Sequence, residues 1–92
     1  MKVVDYLVES LIKLGITDVF GIPGGVVLDF VYALNKRKKN IRTHLLHHEQ
    51  NAGFAALGYA QATQKMGVAF GTKGPGILNF TTSIAEAYSD SI

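Results

Sequence analysis

The 92-residue sequence predicts an α/β fold, a doubly wound parallel sheet with helices on both faces. Stretches with helical periodicity alternate with short apolar runs in the order α-β-α-β-α-β-α, and the connections between them are tight. Each apolar run also ends abruptly, either at a Gly/Pro-rich loop or at the start of a helix. We therefore expect three strands and four helices. Because residues 89–92 look like the approach to a further strand, we interpret residues 1–92 as the front part of one incomplete domain.

The first half of the chain contains a helix, a strand and a second helix. The first helix is predicted over 3–14, where apolar residues recur every three or four positions, and Gly15 provides its C-cap. Residues 19–22 form a short apolar strand, which Pro23-Gly24-Gly25 ends at once. A second helix follows over 26–36. The apolar positions of the two helices are Val3, Val4, Leu7, Val8, Leu11 and Ile12, and Val27, Leu28, Val31 and Leu34.

The second half repeats this alternation twice. We expect a buried strand over 41–47 that leads into a helix over 49–63. A strand over 67–72 and a last helix over 77–89 follow, separated by Gly74-Pro75-Gly76. The helix over 49–63 has a small-residue flank that another backbone can approach closely. Its small side chains include Ala52, Ala55, Ala56, Ala60 and Ala62.

The composition indicates a protein that covers part of its surface with something else. Its hydrophobic fraction of 48% and mean hydropathy of +0.20 are high for a short chain, which buries only about two-thirds of its unfolded surface. We expect further chain, a second subunit or both to cover the excess. No apolar run reaches the roughly 18 residues of a membrane span, and the start has no signal-peptide pattern. The absence of cysteine excludes disulfides and thiolate chemistry, and we expect a cytoplasmic location.

Two clusters suggest other functions, and we interpret both as structural. The basic run over 36–39 supplies most of the net charge of +2 and ends a predicted helix, where cations suit the helix dipole. A nucleic-acid patch is the alternative, but no aromatic residue is interleaved with the run.

On a strand, His44 and His48 share one face and His47 points to the other. No acid or cysteine completes a ligand set, so we predict no metal ligands.

Glu49 is the main candidate for chemistry. It lies at the predicted start of a helix, on the positive end of the dipole, at the edge of the sheet where ligands of open α/β sheets bind. The loops over 21–25 and 72–76 end at the same edge, and their glycines let a flat ligand approach the backbone. Neither loop contains a phosphate-binding fingerprint. Each loop alone is typical of a tight turn, but together with Glu49 they predict a binding site.

These motifs resemble those of thiamine-diphosphate-dependent enzymes. The run over 48–63 is similar to the helix that carries their activating glutamate, and it best matches the acetolactate synthase-like branch, which includes oxoacid decarboxylases and carboligases. Residues 19–25 look like the first loop of that family. Gly74-Pro75-Gly76 with Asn79, and residues 85–92, look like its third strand end and following helix. The resemblance covers essentially the whole chain, which it identifies as the N-terminal part of the pyrimidine-binding domain.

The resemblance implies a catalytic role for Glu49. Its carboxylate would hydrogen-bond N1′ of the aminopyrimidine ring of thiamine diphosphate and favour the imino tautomer. The substrate would be a 2-oxo acid that is decarboxylated or carboligated. Burial of Glu49 would oppose the helix dipole, which lowers the pKa of this carboxyl group. The cofactor-binding residues that the resemblance implies are Ile22, Pro23, Gly24, Glu49, Thr72, Pro75 and Asn79.

The resemblance also implies partners beyond this chain. Magnesium would be bound in a later domain, around a Gly-Asp-Gly motif that this sequence lacks. The cofactor would lie at the subunit interface of a homo-oligomer, a dimer or a tetramer, with the small-residue helix packed across it. We therefore expect a truncation or a fragment of a longer enzyme that does not turn over alone, with no nucleic-acid or membrane partner.

Three positions depart from the family pattern. Leu57 replaces an acidic residue, Lys73 replaces a small residue, and Ile22 stands where several members carry Tyr or Asn. Lys73 has two interpretations, a surface lysine or a contact to an extra acidic group on the substrate. The alternative function for the chain is a non-catalytic α/β module that keeps the fold for oligomerisation or small-molecule binding. In such a module Glu49→Gln would leave every measurable property unchanged.

Overall fold

The computed structural model describes residues 3–72 and 74–90, apart from the side chains of Val26 and Pro75. The interpretations of Lys73 and of the last two residues concern positions outside this part. Helices and strands alternate along the chain in the predicted order. The elements are α1 (Val3–Lys13), β1 (Asp18–Gly21), a 3₁₀ turn (Gly25–Val27), α2 (Leu28–Lys36), β2 (Arg42–Leu45), α3 (Glu49–Thr63), β3 (Ala69–Phe70), α4 (Pro75–Leu78) and α5 (Thr81–Ser89).

The three strands form one parallel sheet in the order β2-β1-β3, with β1 in the centre. Asp18 of β1 lies opposite Arg42 of β2, and Phe20 lies opposite Ala69 of β3. Successive side chains of a strand point to opposite faces of the sheet. Val19 accordingly belongs to the core beneath α1 and α2, whereas Phe20 packs against α3. Helices cover both faces, and the predicted α/β architecture is confirmed.

The main core lies between the sheet and the pair α1–α2. Burying a large aliphatic side chain stabilises a fold by about 1.5–3 kcal/mol. On the opposite face the buried residues of α3 are Ala52, Gly53 and Ala56, which contribute little apolar area but allow close approach. Most of the hydrophobic stabilisation therefore comes from the α1–α2 side. The largest fully buried side chains are Val8, Ile16, Val19, Leu34 and Ile41.

Arg37 links α2 to α1. Its guanidinium donates to the carboxylates of Glu9 and Asp5, at 3.2 Å for Asp5, and to the carbonyl oxygen of Ala33 at 3.2 Å. The Arg37 side chain is only 19% exposed. The arginine of the basic run is thus used to pack one helix against another, which favours the helix-end interpretation of that run over a nucleic-acid patch.

The strand predicted over 41–47 is present as β2, but the prediction that this strand is buried is wrong. Ile41 is buried just before β2, but the side chain of Leu45 at its end is 52% exposed. An apolar run indicates a strand, whereas the crossover connections decide which strand lies at the edge of the sheet. Here the order places β2 at an edge. The strand predicted over 67–72 is also shorter, since β3 pairs with β1 at only two positions.

The single helix predicted over 77–89 is divided into α4 and α5. Phe80 lies at the break with 7% of its surface exposed, and the hydroxyl of Thr81 donates to the carbonyl oxygen of Leu78 at 2.6 Å. The ring of Phe80 is buried against α3, where a Cβ placed on Gly53 would lie 3.1 Å from it. Helical periodicity in the sequence does not reveal this break, because the contact that accompanies it is made with a distant helix.

A polar cluster around Asp18 joins β1 to β2 and to α3. The Asp18 carboxylate accepts hydrogen bonds from Thr17 at 2.7 Å and His44 at 2.8 Å, and it pairs with Arg42 at 3.3 Å. The Thr17 hydroxyl also contacts the Tyr59 hydroxyl of α3 at 2.9 Å. Burial raises the pKa of Asp18, but the hydrogen bonds from Thr17 and His44 and the charge of Arg42 outweigh it, so the pKa lies below its ordinary value.

The first prediction concerns close packing of α3. A Cβ on Gly53 would overlap Oγ of Ser83 and lie 2.9 Å from its Cβ, whereas a Cβ on Gly58 would meet nothing within 4 Å. Alanine gains roughly 1 kcal/mol over glycine inside a helix, and overpacking costs about 1–3 kcal/mol. We expect Gly58→Ala to raise the free energy of unfolding by about 1 kcal/mol. We expect the free energy of unfolding of Gly53→Ala to lie about 1–3 kcal/mol below that of Gly58→Ala. Urea unfolding measures both, and equal stability of the two variants would contradict the packing.

The second prediction concerns the Asp18 cluster. A carboxyl group whose pKa is lowered on folding stabilises the fold above its unfolded pKa, here 3.8, and loses that effect as the pH falls through the folded pKa. We expect Asp18→Asn to cost about 1–3 kcal/mol near neutral pH, a difference from wild type that shrinks below pH 3.8. Urea unfolding between pH 2 and 7 measures this. Asp29→Asn makes the same change at an exposed position, and a loss of stability near neutral pH as large as that of Asp18→Asn would contradict the role of the cluster.

Candidate functional site

The three chain segments that follow the strands meet at one edge of the sheet. Gly24, in the loop after β1, lies beside Thr72, in the loop after β3, and a Cβ on Gly24 would be 3.3 Å from Cβ of Thr72. A Cβ on Gly76 would lie 3.1 Å from Cγ2 of Thr72 and 3.0 Å from Oε2 of Glu49. All three segments follow the carboxyl ends of parallel strands, where open α/β sheets bind ligands. The structure therefore brings Gly24, Thr72 and Glu49 together.

Glu49 is the first residue of α3, and local contacts explain why the helix begins there. His48 has extended backbone angles, and its Nδ1 accepts a hydrogen bond from the backbone N–H of Gln50 at 3.0 Å. This side-chain cap satisfies one of the free N–H groups of the first turn. The half-buried carboxylate of Glu49 consequently lies at the positive end of the helix dipole.

Asn79 is the direct partner of Glu49. Its Nδ2 donates to Oε1 of Glu49 at 3.0 Å, although the two residues are 30 positions apart in the sequence. Asn79 is half-buried and lies between α4 and α5, at the break in the predicted last helix. The break and the contact with Glu49 are therefore parts of one arrangement.

The pKa of Glu49 is lowered. The hydrogen bond from Asn79 is the largest cause, followed by a hydrogen bond from the backbone N–H of Glu49 itself, while burial acts in the opposite direction. The carboxylate is therefore ionised at neutral pH, and it is a hydrogen-bond acceptor directed toward the loops that contain glycine.

The other predicted cofactor-binding residues occupy the loop after β1 and the start of α4. Ile22 is half-buried and its N–H donates to the carbonyl oxygen of Phe70 at 3.3 Å, and Pro23 is exposed. The prediction for Pro75 concerns a side chain outside the described part. His44, which sequence analysis weighed as a metal ligand, is bound to Asp18 instead.

Sequence reasoning named Gly76 as part of its loop but missed one glycine and one contact. Gly71 and Gly76 form walls beside Glu49, since a Cβ on Gly71 would lie 3.3 Å from Cγ of Glu49 and a Cβ on Gly76 would lie 3.0 Å from Oε2. The position of Gly71 directly after β3 was the signal that could have identified it. The contact between Asn79 and Glu49 had no such local signal.

A concavity of the described residues is adjacent to this site. It is a groove of about 720 Å³ between α3 and α5, next to β3. Small or apolar residues of the two helices line most of it, and Glu49 is not among them. The volume of this groove alone would favour it as a binding site. The carboxylate, the amide and the glycines that lie close together are at the sheet edge instead. We assign the candidate site to the sheet edge because chemistry needs directed polar groups.

Two classes of site are not found in the described part of the chain. Among residues 3–72 and 74–90, no group of three His, Asp or Glu side chains could hold a metal ion. Within the same residues, no helix combines the length and apolar character needed to cross a bilayer.

Comparison with known proteins places these features in a family. Residues 1–92 match the model described as "Thiamine pyrophosphate enzyme, N-terminal TPP binding domain". An acetolactate synthase of Mycobacterium avium is 50% identical over 86 residues, which are 94% of this chain and 14% of that protein. Acetolactate synthase 1, chloroplastic, of Oryza sativa subsp. japonica is 44% identical over 91 residues, 99% of this chain and 14% of the relative. The resemblance is confirmed, and the chain spans about 14% of the length of these curated relatives.

The third prediction tests the glycine wall beside Glu49. In Gly76→Ala the new Cβ would crowd Oε2, so we expect the flexible carboxylate to move by a few tenths of an ångström and to disturb its bond with Asn79. The side-chain amide resonance of Asn79 should shift while the free energy of unfolding changes by less than about 1 kcal/mol. Gly25→Ala is the matched control, since its Cβ would meet nothing within 4 Å. An unmoved Asn79 resonance in Gly76→Ala would contradict the arrangement.

Proposed function

This chain belongs to the thiamine pyrophosphate enzyme family, as an N-terminal cofactor-binding domain, and from that premise we propose that it is the segment that activates the cofactor. In this proposal residues 1–92 form the front part of the domain that holds the aminopyrimidine ring of thiamine pyrophosphate, also called thiamine diphosphate. The reaction is the decarboxylation or carboligation of a 2-oxo acid, as in acetolactate synthases.

The placement of the Glu49 carboxylate is the observation that carries the proposal. The carboxylate is half-buried at the carboxyl edge of a parallel sheet and lies against the position where Gly76 lacks a Cβ. A half-buried acceptor bordered by glycine backbone suits a flat heteroaromatic ring that donates one hydrogen bond to the carboxylate. The loop positions Gly24 and Thr72, adjacent to each other, would line the same ring. This fit supports an aminopyrimidine as the ligand.

The role of Glu49 follows from its electrostatics. Thiamine diphosphate, when bound, supplies the nucleophilic carbon that attacks the 2-oxo acid. Glu49 is ionised in the free protein, so it can accept a hydrogen bond from a protonated ring nitrogen and thereby stabilise that protonated form. A ring seated against the carboxylate would exclude water, and desolvation raises the pKa of a carboxyl group. This change would bring the pKa of Glu49 closer to that of the ring nitrogen, which favours proton sharing between them.

Other parts of the enzyme would complete the site. A diphosphate group needs a dication with oxygen ligands. This proposal assigns that dication, magnesium, to a region outside residues 1–92. The cofactor would lie at the interface of a homo-oligomer, and the side of α3 that this chain leaves exposed would pack against another subunit, since Ala52 and Ala56 are buried within the chain itself. Exposed apolar side chains on α4 and α5 support such an assembly: Leu78 is 70% exposed, Ile84 63% and Tyr88 88%. The choice of 2-oxo acid and of product would also depend on these additional regions.

The fourth prediction tests Glu49 in the native protein as isolated. Intact mass spectrometry would first compare its mass with the 9.9 kDa of this chain, and thiamine diphosphate with Mg²⁺ would then be titrated into it. We expect a larger mass, saturable binding and consumption of pyruvate. Because glutamine cannot share a proton, Glu49→Gln should lower turnover by about 10²–10⁴-fold.

Glu86→Gln provides the control, since it makes the same change at an exposed position of α5 and should retain wild-type turnover. Equal turnover of Glu49→Gln and wild type would falsify the catalytic role. A native protein of 9.9 kDa that folds stably and binds no thiamine diphosphate would favour the non-catalytic module instead.

A further inference from the structure

We propose that Asn79 is a positioning residue that holds Oε1 of Glu49, so that Oε2 is the oxygen presented to the pyrimidine ring. This inference rests on the proposed function for the identity of the ring. It assigns Asn79 a different role from the one that the sequence resemblance implies, which is direct contact with the cofactor. The two roles make different demands on the geometry and lead to different experimental results.

The side chain of Glu49 is enclosed on three sides. A Cβ on Gly71 would lie 3.3 Å from Cγ, a Cβ on Gly76 would lie 3.0 Å from Oε2 and 3.6 Å from Cδ, and Nδ2 of Asn79 bonds to Oε1 at 3.0 Å. The two glycines restrict the position of the stem and of one oxygen without donating a side-chain hydrogen bond. Asn79 supplies the directed contact, and it therefore selects the rotation of the carboxylate about its terminal bond, which is otherwise broad.

The position of Asn79 is itself determined from both sides of the helix break. Before it, the N–H of Leu78 donates to the carbonyl oxygen of Gly74 at 3.2 Å. After it, the N–H of Phe80 donates to the carbonyl oxygen of Ile77 at 3.1 Å, and the Phe80 ring is buried. The amide is therefore held in place before any ligand arrives, which is the condition for a preorganised site.

The chemistry of an amide suits this role. The Asn79 NH₂ group donates to an ionised carboxylate and favours the charged form, which is the form that can accept a bond from a protonated ring. An amide does not titrate near neutral pH, so it cannot compete with Glu49 for the proton that Glu49 shares with the ring. An acidic or basic residue at this position would do so.

The test measures the titration of Glu49 in the native protein without cofactor. Residues 1–92 contain three glutamates, Glu9, Glu49 and Glu86, and labelling Cδ of glutamate with ¹³C gives each of them a signal. The signal lost in Glu49→Gln identifies Glu49. In Asn79→Ala we expect the midpoint of Glu49 to shift upward, because the largest cause of its lowered pKa has been removed. The midpoint of Glu86 should stay at its wild-type value.

Two controls separate positioning from general damage. Asn51→Ala removes an exposed amide from α3 and should leave the Glu49 midpoint unchanged. His48, whose Nδ1 caps α3 next to Glu49, is present in both asparagine variants, so its effect cancels in the comparison. If Asn79→Ala does not fold, the wild-type protein still provides a test, since the Asn79 side-chain amide resonance should follow pH with the Glu49 midpoint.

The possible results are distinct. An unchanged Glu49 midpoint in folded Asn79→Ala overturns the positioning role, as does a wild-type Asn79 resonance that does not follow Glu49. An unchanged midpoint combined with weaker thiamine diphosphate binding would assign Asn79 to direct cofactor contact and equally overturn it. An upward shift of the midpoint supports the role. If that shift is found while the native wild-type protein binds no thiamine diphosphate, the positioning of Glu49 is supported and the proposed function fails.

Discussion

The close approach of α3 to its neighbours is the constraint on which the rest of this structure depends. A Cβ on Gly53 would overlap Ser83 of α5, and a Cβ on Gly67 would overlap the carbonyl oxygen of Ala56. Because these positions carry no side chain, α5 and the segment before β3 can lie directly against α3. The ring of Phe80 then fits against Gly53, and the break in the last helix at Phe80 brings the neighbouring Asn79 to Glu49. Backbone packing thus determines the geometry of a polar contact.

Asp18 and Glu49 show how one fold uses two carboxylates differently. Both have a lowered pKa, but the causes and the surroundings differ. Asp18 is buried and is bound by Thr17, His44 and Arg42, so its oxygens are committed to joining strands. Within residues 3–72 and 74–90, Glu49 has one side-chain donor, Asn79, and it also lies against glycines. A carboxylate whose oxygens are all hydrogen-bonded within the protein stabilises the fold, whereas a carboxylate with an oxygen that can still accept a hydrogen bond can bind a ligand.

The two faces of the sheet make different contributions, one mainly to stability and the other to the candidate site. On the α1–α2 face, large aliphatic side chains such as Val8 and Leu34 are fully buried and supply most of the hydrophobic stabilisation. On the other face the buried residues of α3 itself are small, which reduces the buried apolar area in favour of close backbone contact. A site that must hold a carboxylate within a few tenths of an ångström benefits from a rigid scaffold on its far side. The large core beneath α1 and α2 provides that scaffold.

The sequence by itself determined the parallel α/β architecture, the start of α3 at Glu49, and the convergence of three loops at one edge of the sheet. Those features follow from local signals: apolar periodicity, the glycine at position 15 after α1, and the change at Glu49 from an apolar run to a stretch rich in Ala and Gly. Only the tertiary structure decided that β2 lies at an edge, that the last helix breaks at Phe80, and that Asn79 reaches Glu49. These depend on contacts between segments far apart in the chain, and a local pattern contains no information about which distant side chain will fill a given space.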